Sequence, residues 1–317
     1  MSPEEKAGFF NNSMTLALTK KVARSFYLSI RLLPSTLREP VALAYLLARA
    51  SDTVVDEEDD LISESERELL RLLPSLIEEL NDPQRNHFDA DAIKVVWQTI
   101  LEGQAFDLER FSLDLLDNST AEAHCGVPPV LASSSMTYTL SRCAPEAPST
   151  ASPAASSARG LLQDQVSILN SDELDRYLYL VAGCVGEFWT KLAVHHLPDF
   201  SKESLETMMA RGVDYGKGLQ LVNILRDRQK DARCGRHYCK EDQVPQLHVQ
   251  ALAYLQQGEA YVKALRPGRF KVATALPLLL GKRTLALIKK YPNAEKVKIS
   301  RCVVYLTLLR AACYLFW

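Results

Sequence analysis

The chain has 317 residues, 47% of them hydrophobic, with only 13 Gly and 15 Pro. That is enough apolar surface for one large core or two medium ones, and it excludes a wholly disordered, collagen-like or mainly low-complexity chain. Lys+Arg 37 against Asp+Glu 39 leaves a formal net charge of -2, so no general attraction to polyanions follows and nucleic acid is not an expected partner. Seven cysteines without a repeating spacing argue against a secreted disulfide framework and for a reducing, cytoplasmic compartment. The opening MSPEEKAGFFNN lacks the basic-then-apolar order of a signal peptide, and no uninterrupted apolar run is long enough to span a bilayer.

Leu, Ala and charged residues dominate, which leans helical. Over residues 15–33, Leu16, Leu18, Val22, Phe26, Ile30 and Leu33 recur mostly at three- and four-residue steps and predict a helix with one buried face. Pro34 and Ser35 punctuate it, and a second helix is predicted over 37–56, ending in the acidic cluster that Asp56 opens. The third covers 63–80, with Ser63 as N-cap and Glu66 three residues on in capping-box spacing. The fourth covers 89–111. Composition then shifts over 117–160, where SRCAPEAPSTASPAASSARG has no sustained apolar period and reads as a flexible loop or insertion.

Helical patterning resumes at Asp172, stops near Pro198, and starts again over 201–231, with further helices over 249–265, 272–290 and 297–314. The stretch from Cys302 onward, broken by Arg310, reads as a buried terminal helix, with a membrane-surface contact as the alternative. No segment alternates with period two for long, so the expected fold is all-α, with helices long enough to enclose a deep cavity.

Two acidic pairs share one spacing: Asp52 with Asp56, and Asp227 with Asp231. Residues four apart on a helix share a face, so each pair points two carboxylates one way. Mg²⁺ commonly takes one or two carboxylates and completes its shell with water and phosphate oxygens. A single such pair also suits a solvated acidic face, and Asp56 opens an acidic run. The neighbours favour a site: Arg49 sits one turn before Asp52, Arg226 adjoins Asp227, and Arg236 follows Asp231. Carboxylate and guanidinium together suit metal and phosphate held at one place. The apolar stretches VALAYLLARAS and GLQLVNIL place these charges at the ends of buried helices, and Gln220 and Asn223 precede Asp227 by two turns and one turn. Cys234, His237 and Cys239 form a looser cluster without a fourth ligand at zinc-like spacing, and His195-His196 read as a helix C-terminus.

The stretch SFYLSIRLLPSTLREPVALAYLLARASDTVVDEE resembles the first aspartate-rich region of the squalene/phytoene synthase family. QLVNILRDRQKDARCGRHY resembles its second, and YLYLVAGCVGEFWTKL its Tyr-x-x-x-Val-Ala-Gly-x-Val-Gly segment. The resemblance covers about residues 14–116 and 171–301. It implies one domain over 1–317, a helical isoprenoid synthase bundle around a central cavity, with the 117–160 stretch as an insertion. It further implies that Asp52, Asp56, Asp227 and Asp231, with Asn223, bind Mg²⁺. Arg24, Arg49 and Arg226 would contact diphosphate, with Arg236 added as a substrate contact by its place after Asp231, and Gln220 is a polar neighbour. Tyr177 would handle a proton in the first half-reaction, and Phe26, Tyr45, Val181, Ala182 and Gly186 would line the prenyl-chain cavity; each of these apolar residues is equally a plain core residue.

The form Asp-Thr-Val-x-Asp, the phrase VAGCVGEFWTKL and the stretch FKVATALPLLLGKRTLALI, with KVKISR after it, resemble the bacterial squalene-forming members more than the phytoene-forming ones. That implies joining two farnesyl diphosphates to presqualene diphosphate, then NADPH-dependent reduction to squalene. No Gly-rich dinucleotide fingerprint is present, so NADPH follows from the resemblance alone. Lys296, Lys298 and Arg301 read as a solvated basic end or as phosphate contacts. The rival products are phytoene, dehydrosqualene or presqualene diphosphate, and the rival class is a non-catalytic helical assembly factor. A monomer, with peripheral membrane contact as an option, is the expected state. The chain departs from the family pattern in its long insertion, in Cys239 and Lys240 where Leu-Pro usually follows GRHY, and in Ala23 where Ser is usual.

Overall fold

Apolar residues at three- and four-residue spacing, rarely interrupted by Gly or Pro, set most of the chain in helices. The structure is a computed structural model that describes residues 13–23, 26–55, 63–117, 169–233, 235–292, 294, 297 and 299–313. In chain order these form α1 (Ser13–Ala23), α2 (Phe26–Leu32), α3 (Ser35–Val55), α4 (Glu64–Leu80), α5 (His87–Asp117) and α6 (Ser171–Leu178). A wide π turn, Tyr179–Gly183, joins α6 to α7 (Cys184–His196), and α8 (Leu205–Arg233), α9 (Val244–Ala264), α10 (Arg269–Lys290) and α11 (Arg301–Ala312) follow. Among the described residues there is no strand beyond one antiparallel bridge, Ser201 to Leu265. None of their helices is long and apolar enough to cross a membrane.

The expected helix over 15–33 is two helices. Its apolar period serves two different neighbours, α1 packing on α4 and α2 on α10. The capping box at Ser63 is present, its backbone N–H donating to the Glu66 carboxylate at 2.9 Å. α9 starts five residues earlier than its apolar period suggested, with Pro245 in its first turn, where the missing N–H costs nothing. The expected insertion over 117–160 lies, beyond Asp117, outside the described residues.

Buried side chains form two clusters. Ile30, Leu33, Leu47, Leu69, Ile93, Phe188 and Leu192 belong to one, and Leu178, Leu221, Leu225, Ala251, Leu255 and Ala275 to the other. The π turn lies where one helix passes between them: Leu174 and Leu178 before it face the second cluster, while Cys184, Phe188 and Leu192 after it face the first. A π turn adds a residue and so shifts the phase of the buried face.

Along the seam, backbone meets backbone. A Cβ on Gly186 would lie 1.8 Å from the carbonyl oxygen of Gly212, and one on Gly216 would lie 2.1 Å from that of Ala182. Gly→Ala inside a helix ordinarily gains roughly 0.5–1 kcal/mol. At Gly186 the backbone clash outweighs that gain, because neither partner is a side chain that can swing aside. Gly186→Ala is expected to lower unfolding free energy by about 2–3 kcal/mol, an overpacking cost, read as a lower urea midpoint.

Candidate active site

α3 carries the first acidic position at its last turns. Arg49 donates to both the Asp52 carboxylate and Glu66, so the residue that caps α4 also fixes the guanidinium of α3. Burial disfavours the charge on Arg49, but Asp52 and Glu66 more than offset it and raise its pKa. The Asp52 side chain is 45% exposed. Its partner Asp56 and the expected contact Arg24 lie outside the described residues.

α8 carries the second pair. Arg226 Nε donates to Asp227 Oδ1 at 2.9 Å and its terminal nitrogen donates to Oδ2, a two-pronged grip that raises the pKa of Arg226. Asp231, one turn on, is half-buried. Burial first, then the charge of Asp227, raises its carboxyl to about 6. Gly235, at φ 74, then ends the helix in the left-handed region, and the Arg236 N–H returns to the Asp231 carbonyl at 2.9 Å. This turn sends Arg236 and Tyr238 back toward α5.

There they meet a carboxylate the sequence reading did not single out. Tyr177 on α6 donates to the Tyr238 hydroxyl at 3.3 Å, and Tyr238 donates to Asp107 Oδ1 at 2.9 Å. Arg236 Nε lies 3.7 Å from Asp107 Oδ2. The two phenol rings stack at 5.2 Å. Burial, then the charge of Asp107, holds the Tyr177 hydroxyl well above its usual pKa, so it stays protonated. Asp52 also acts on Tyr177, and both Arg236 and Asp107 act on Asp231. The first acidic region, the second, and the tyrosine relay therefore share one electrostatic neighbourhood.

An apolar cavity of about 200 Å³ adjoins this region. Phe26, Ala182, Gly186, Gln220 and Asn223 line it, together with Trp189, Gly212, Tyr215, Gly216 and Tyr261 among others. Phe26 packs on the ring of Tyr45 at 5.3 Å and faces Trp189 at 6.4 Å. Trp189 is fixed by its N–H bond to Thr274 at 2.9 Å and by stacking on Phe270. Tyr45 stands behind Phe26, its hydroxyl donating to the Val22 carbonyl, and Val181 packs against Gly103 of α5; neither lines the cavity. Tyr177 also lies off the lining, in the second core. Asn223 is exposed and donates to Gln220 at 3.4 Å.

A second, polar cavity of about 410 Å³ opens beside the end of α8, lined by Arg228, Arg236, His237, Tyr238 and Lys240 among others. Cys239 lines it too, but burial raises its thiol to about 11, and Cys234 lies outside the described residues.

The donor set suits a hard dication. The Asp52 and Asp227 carboxylates are 45% and 40% exposed, and among the described residues no three His, Cys, Asp or Glu side chains form a cage of their own. Mg²⁺ fits such sparse carboxylates, because water and phosphate oxygens complete its octahedron.

A family model described as Squalene/phytoene synthase matches residues 19–246. The Bifunctional lycopene cyclase/phytoene synthase of Gibberella fujikuroi is 27% identical over 237 residues, 70% of this chain and 34% of that protein. Phytoene synthase 1, chloroplastic, of Zea mays is 40% identical over 77 residues, 24% of this chain and 18% of that protein. The chain spans about a third or less of the length of the curated relatives it matches. Among solved structures, TcSQS in complex with the ligand BPH1237 matches with TM-score 0.65 at 18% identity, over 94% of this chain and 85% of that one. A dehydrosqualene synthase in complex with ligand matches with TM-score 0.56 at 19% identity, over 95% of each. At such identities the likeness is one of fold.

Asp231 yields a pH test. A carboxyl raised to about 6 in the fold contributes stability at low pH that is lost as pH rises through that value. The melting temperature of metal-free protein should therefore drop across that window more than that of Asp231→Asn. Mg²⁺ should raise it above the window and have little effect below. Circular dichroism melts at stepped pH check both.

Proposed function

The chain belongs to the squalene/phytoene synthase family, and from that premise we propose that it joins two farnesyl diphosphates head to head into presqualene diphosphate. One observation carries this reading. Gly212, Gly216, Gln220, Asn223, Asp227 and Asp231 follow one another along α8 at three- and four-residue steps, so a single stripe runs from the cavity wall to the charged mouth. At 1.5 Å per residue it is roughly 28 Å long. An apolar chain with a diphosphate head matches that order.

Ionising an allylic diphosphate leaves a carbocation and a highly charged leaving group. Asp52, Asp227 and Asp231, with Asn223, would hold Mg²⁺, which when bound would stabilise the departing diphosphate as a Lewis acid. Arg49 and Arg226 add fixed positive charge at the same end. The cavity keeps water from the cation, and the faces of Phe26 and Trp189 stabilise it. Closing the cyclopropane ring releases a proton. The Tyr177 oxygen takes it while its own proton passes to Tyr238 and that of Tyr238 to Asp107, which leaves Asp107 neutral beside Arg236.

The resemblance of Asp-Thr-Val-x-Asp, VAGCVGEFWTKL and FKVATALPLLLGKRTLALI to squalene-forming members supports reduction of presqualene diphosphate to squalene as the next step. NADPH would supply the hydride, and Arg228, Arg236, His237 and Lys240 around the second cavity are the residues suited to its phosphates. A second reading, phytoene from two geranylgeranyl diphosphates, is favoured by the phytoene synthases among the curated relatives. Incubation of purified protein and Mg²⁺ with either diphosphate, with and without NADPH, separates the readings by product. The expected result is presqualene diphosphate from farnesyl diphosphate, converted to squalene only with NADPH. A C40 hydrocarbon would favour the second reading, and no turnover of either would favour a non-catalytic assembly factor.

Asp52→Asn and Asp227→Asn are each expected to lower kcat by roughly a thousandfold, the scale of lost transition-state charge stabilisation, with the helical circular dichroism unchanged. Tyr177→Phe keeps the packing and removes the relay's entry. Its kcat should fall about a hundredfold with little change in KM.

A further inference from the structure

α11 does not lie buried, as its composition suggested. Its sequence RCVVYLTLLRAA holds no acidic residue. One side packs on α10, with Ala311 fully buried. The other presents Cys302, Tyr305, Leu306, Leu309 and Cys313 at three- and four-residue steps as one apolar stripe. Tyr305, Leu306 and Leu309 are 60%, 64% and 67% exposed. A helix apolar on both sides calls for a second apolar neighbour.

Charge identifies that neighbour. Residues 282–310 hold eight Lys or Arg and one acid, Glu295, in a chain of net charge -2. Arg283, Lys289 and Lys290 on α10 and Arg310 on α11 are all exposed. A second copy of this chain, set stripe to stripe, would bring two such basic segments together and be repelled. An anionic lipid surface attracts them and buries the stripe. At 12 residues, α11 is about 18 Å long, short of the roughly 30 Å of a bilayer core, so it fits the surface and not the interior. Tyr305 suits the headgroup boundary, with its apolar ring and polar tip.

We propose that the exposed stripe of α11, with Lys289 and Lys290 at the end of α10, docks on an anionic lipid bilayer with the helix lying flat in the headgroup boundary. This stands apart from the catalytic reading, since the test needs no turnover. If both hold, α10, which supplies Thr274 and Pro277 to the apolar cavity, lies next to the membrane contact.

Co-sedimentation with vesicles of phosphatidylglycerol and phosphatidylcholine in equal parts, against phosphatidylcholine alone, tests it. The full chain should favour the anionic vesicles at low salt, on the order of tenfold, and lose the preference at high salt. Leu306→Ser with Leu309→Ser, and separately Lys289→Gln with Lys290→Gln, should each weaken partition on the order of tenfold at unchanged melting temperature. Tyr305→Trp, which keeps the stripe intact, should show a blue-shifted fluorescence only with anionic vesicles. Equal partition onto both vesicle types or onto neither overturns the proposal. So does a dimer that the leucine variants dissolve, or strong protection of α11 amides from exchange without lipid, since another protein surface would then cover the stripe.

Discussion

Two helices touch backbone to backbone where Gly186 meets Gly212 and Ala182 meets Gly216, and the site depends on that contact. Ordinary side chains there would hold α7 and α8 apart, and α8 would then move away from both core clusters. With them in contact, the positions that lack side chains become cavity wall, and the aromatic groups around them, Phe26, Trp189 and Tyr215, enclose the space. The same contact sets the rotation of α8. That rotation puts Asn223, Asp227 and Asp231 on the line that begins at Gly212. An apolar cavity and a charged mouth thus follow from one packing decision.

The mouth is balanced by pairs that span distant parts of the chain. Arg49 is shared by its own helix and by the capping glutamate of α4, Arg226 by the carboxylate beside it, and Arg236 by Asp107 of α5. Burial first, then the charge of Asp227, raises the pKa of Asp231, and Lys230 and Arg236 offset only part of this. A bound dication would lower that pKa, which links the electrostatics of the protein alone to the metal chemistry proposed for it. The Tyr177, Tyr238 and Asp107 chain is the counterpart, a buried line of hydroxyls ending on a carboxylate beside Arg236.

Local features were readable from the sequence, and long-range ones were not. The capping box at Ser63 and the carboxylates at four-residue spacing are properties of neighbours in the chain, and so is most helix periodicity. Family resemblance gave Phe26, Ala182 and Gly186 as cavity residues, and they share the cavity wall with Gln220 and Asn223, which it gave only as polar positions. Asp107 stood alone in GQAFDLERF, because its partners come from a loop more than a hundred residues later. The π turn has no periodic signature in YLVAG. Val181 and Tyr45 share a pattern with lining residues yet face Gly103 and the back of Phe26, a difference set by packing rather than by residue type. α11 was expected inside because it is apolar, but apolarity does not say whether protein or another phase covers a helix.

The central claim is that α3 and α8 present their carboxylates to one metal and diphosphate site at the mouth of the apolar cavity. A crystal structure with Mn²⁺ and a non-ionisable thio analogue of farnesyl diphosphate, with the metal located by anomalous scattering, tests it most directly. The account predicts Mn²⁺ bound by Asp52 on one side and by Asp227 or Asp231 on the other, with the prenyl chain between Phe26 and the Gly186–Gly212 contact. Metal bound away from these carboxylates, or a prenyl chain outside that cavity, would contradict it.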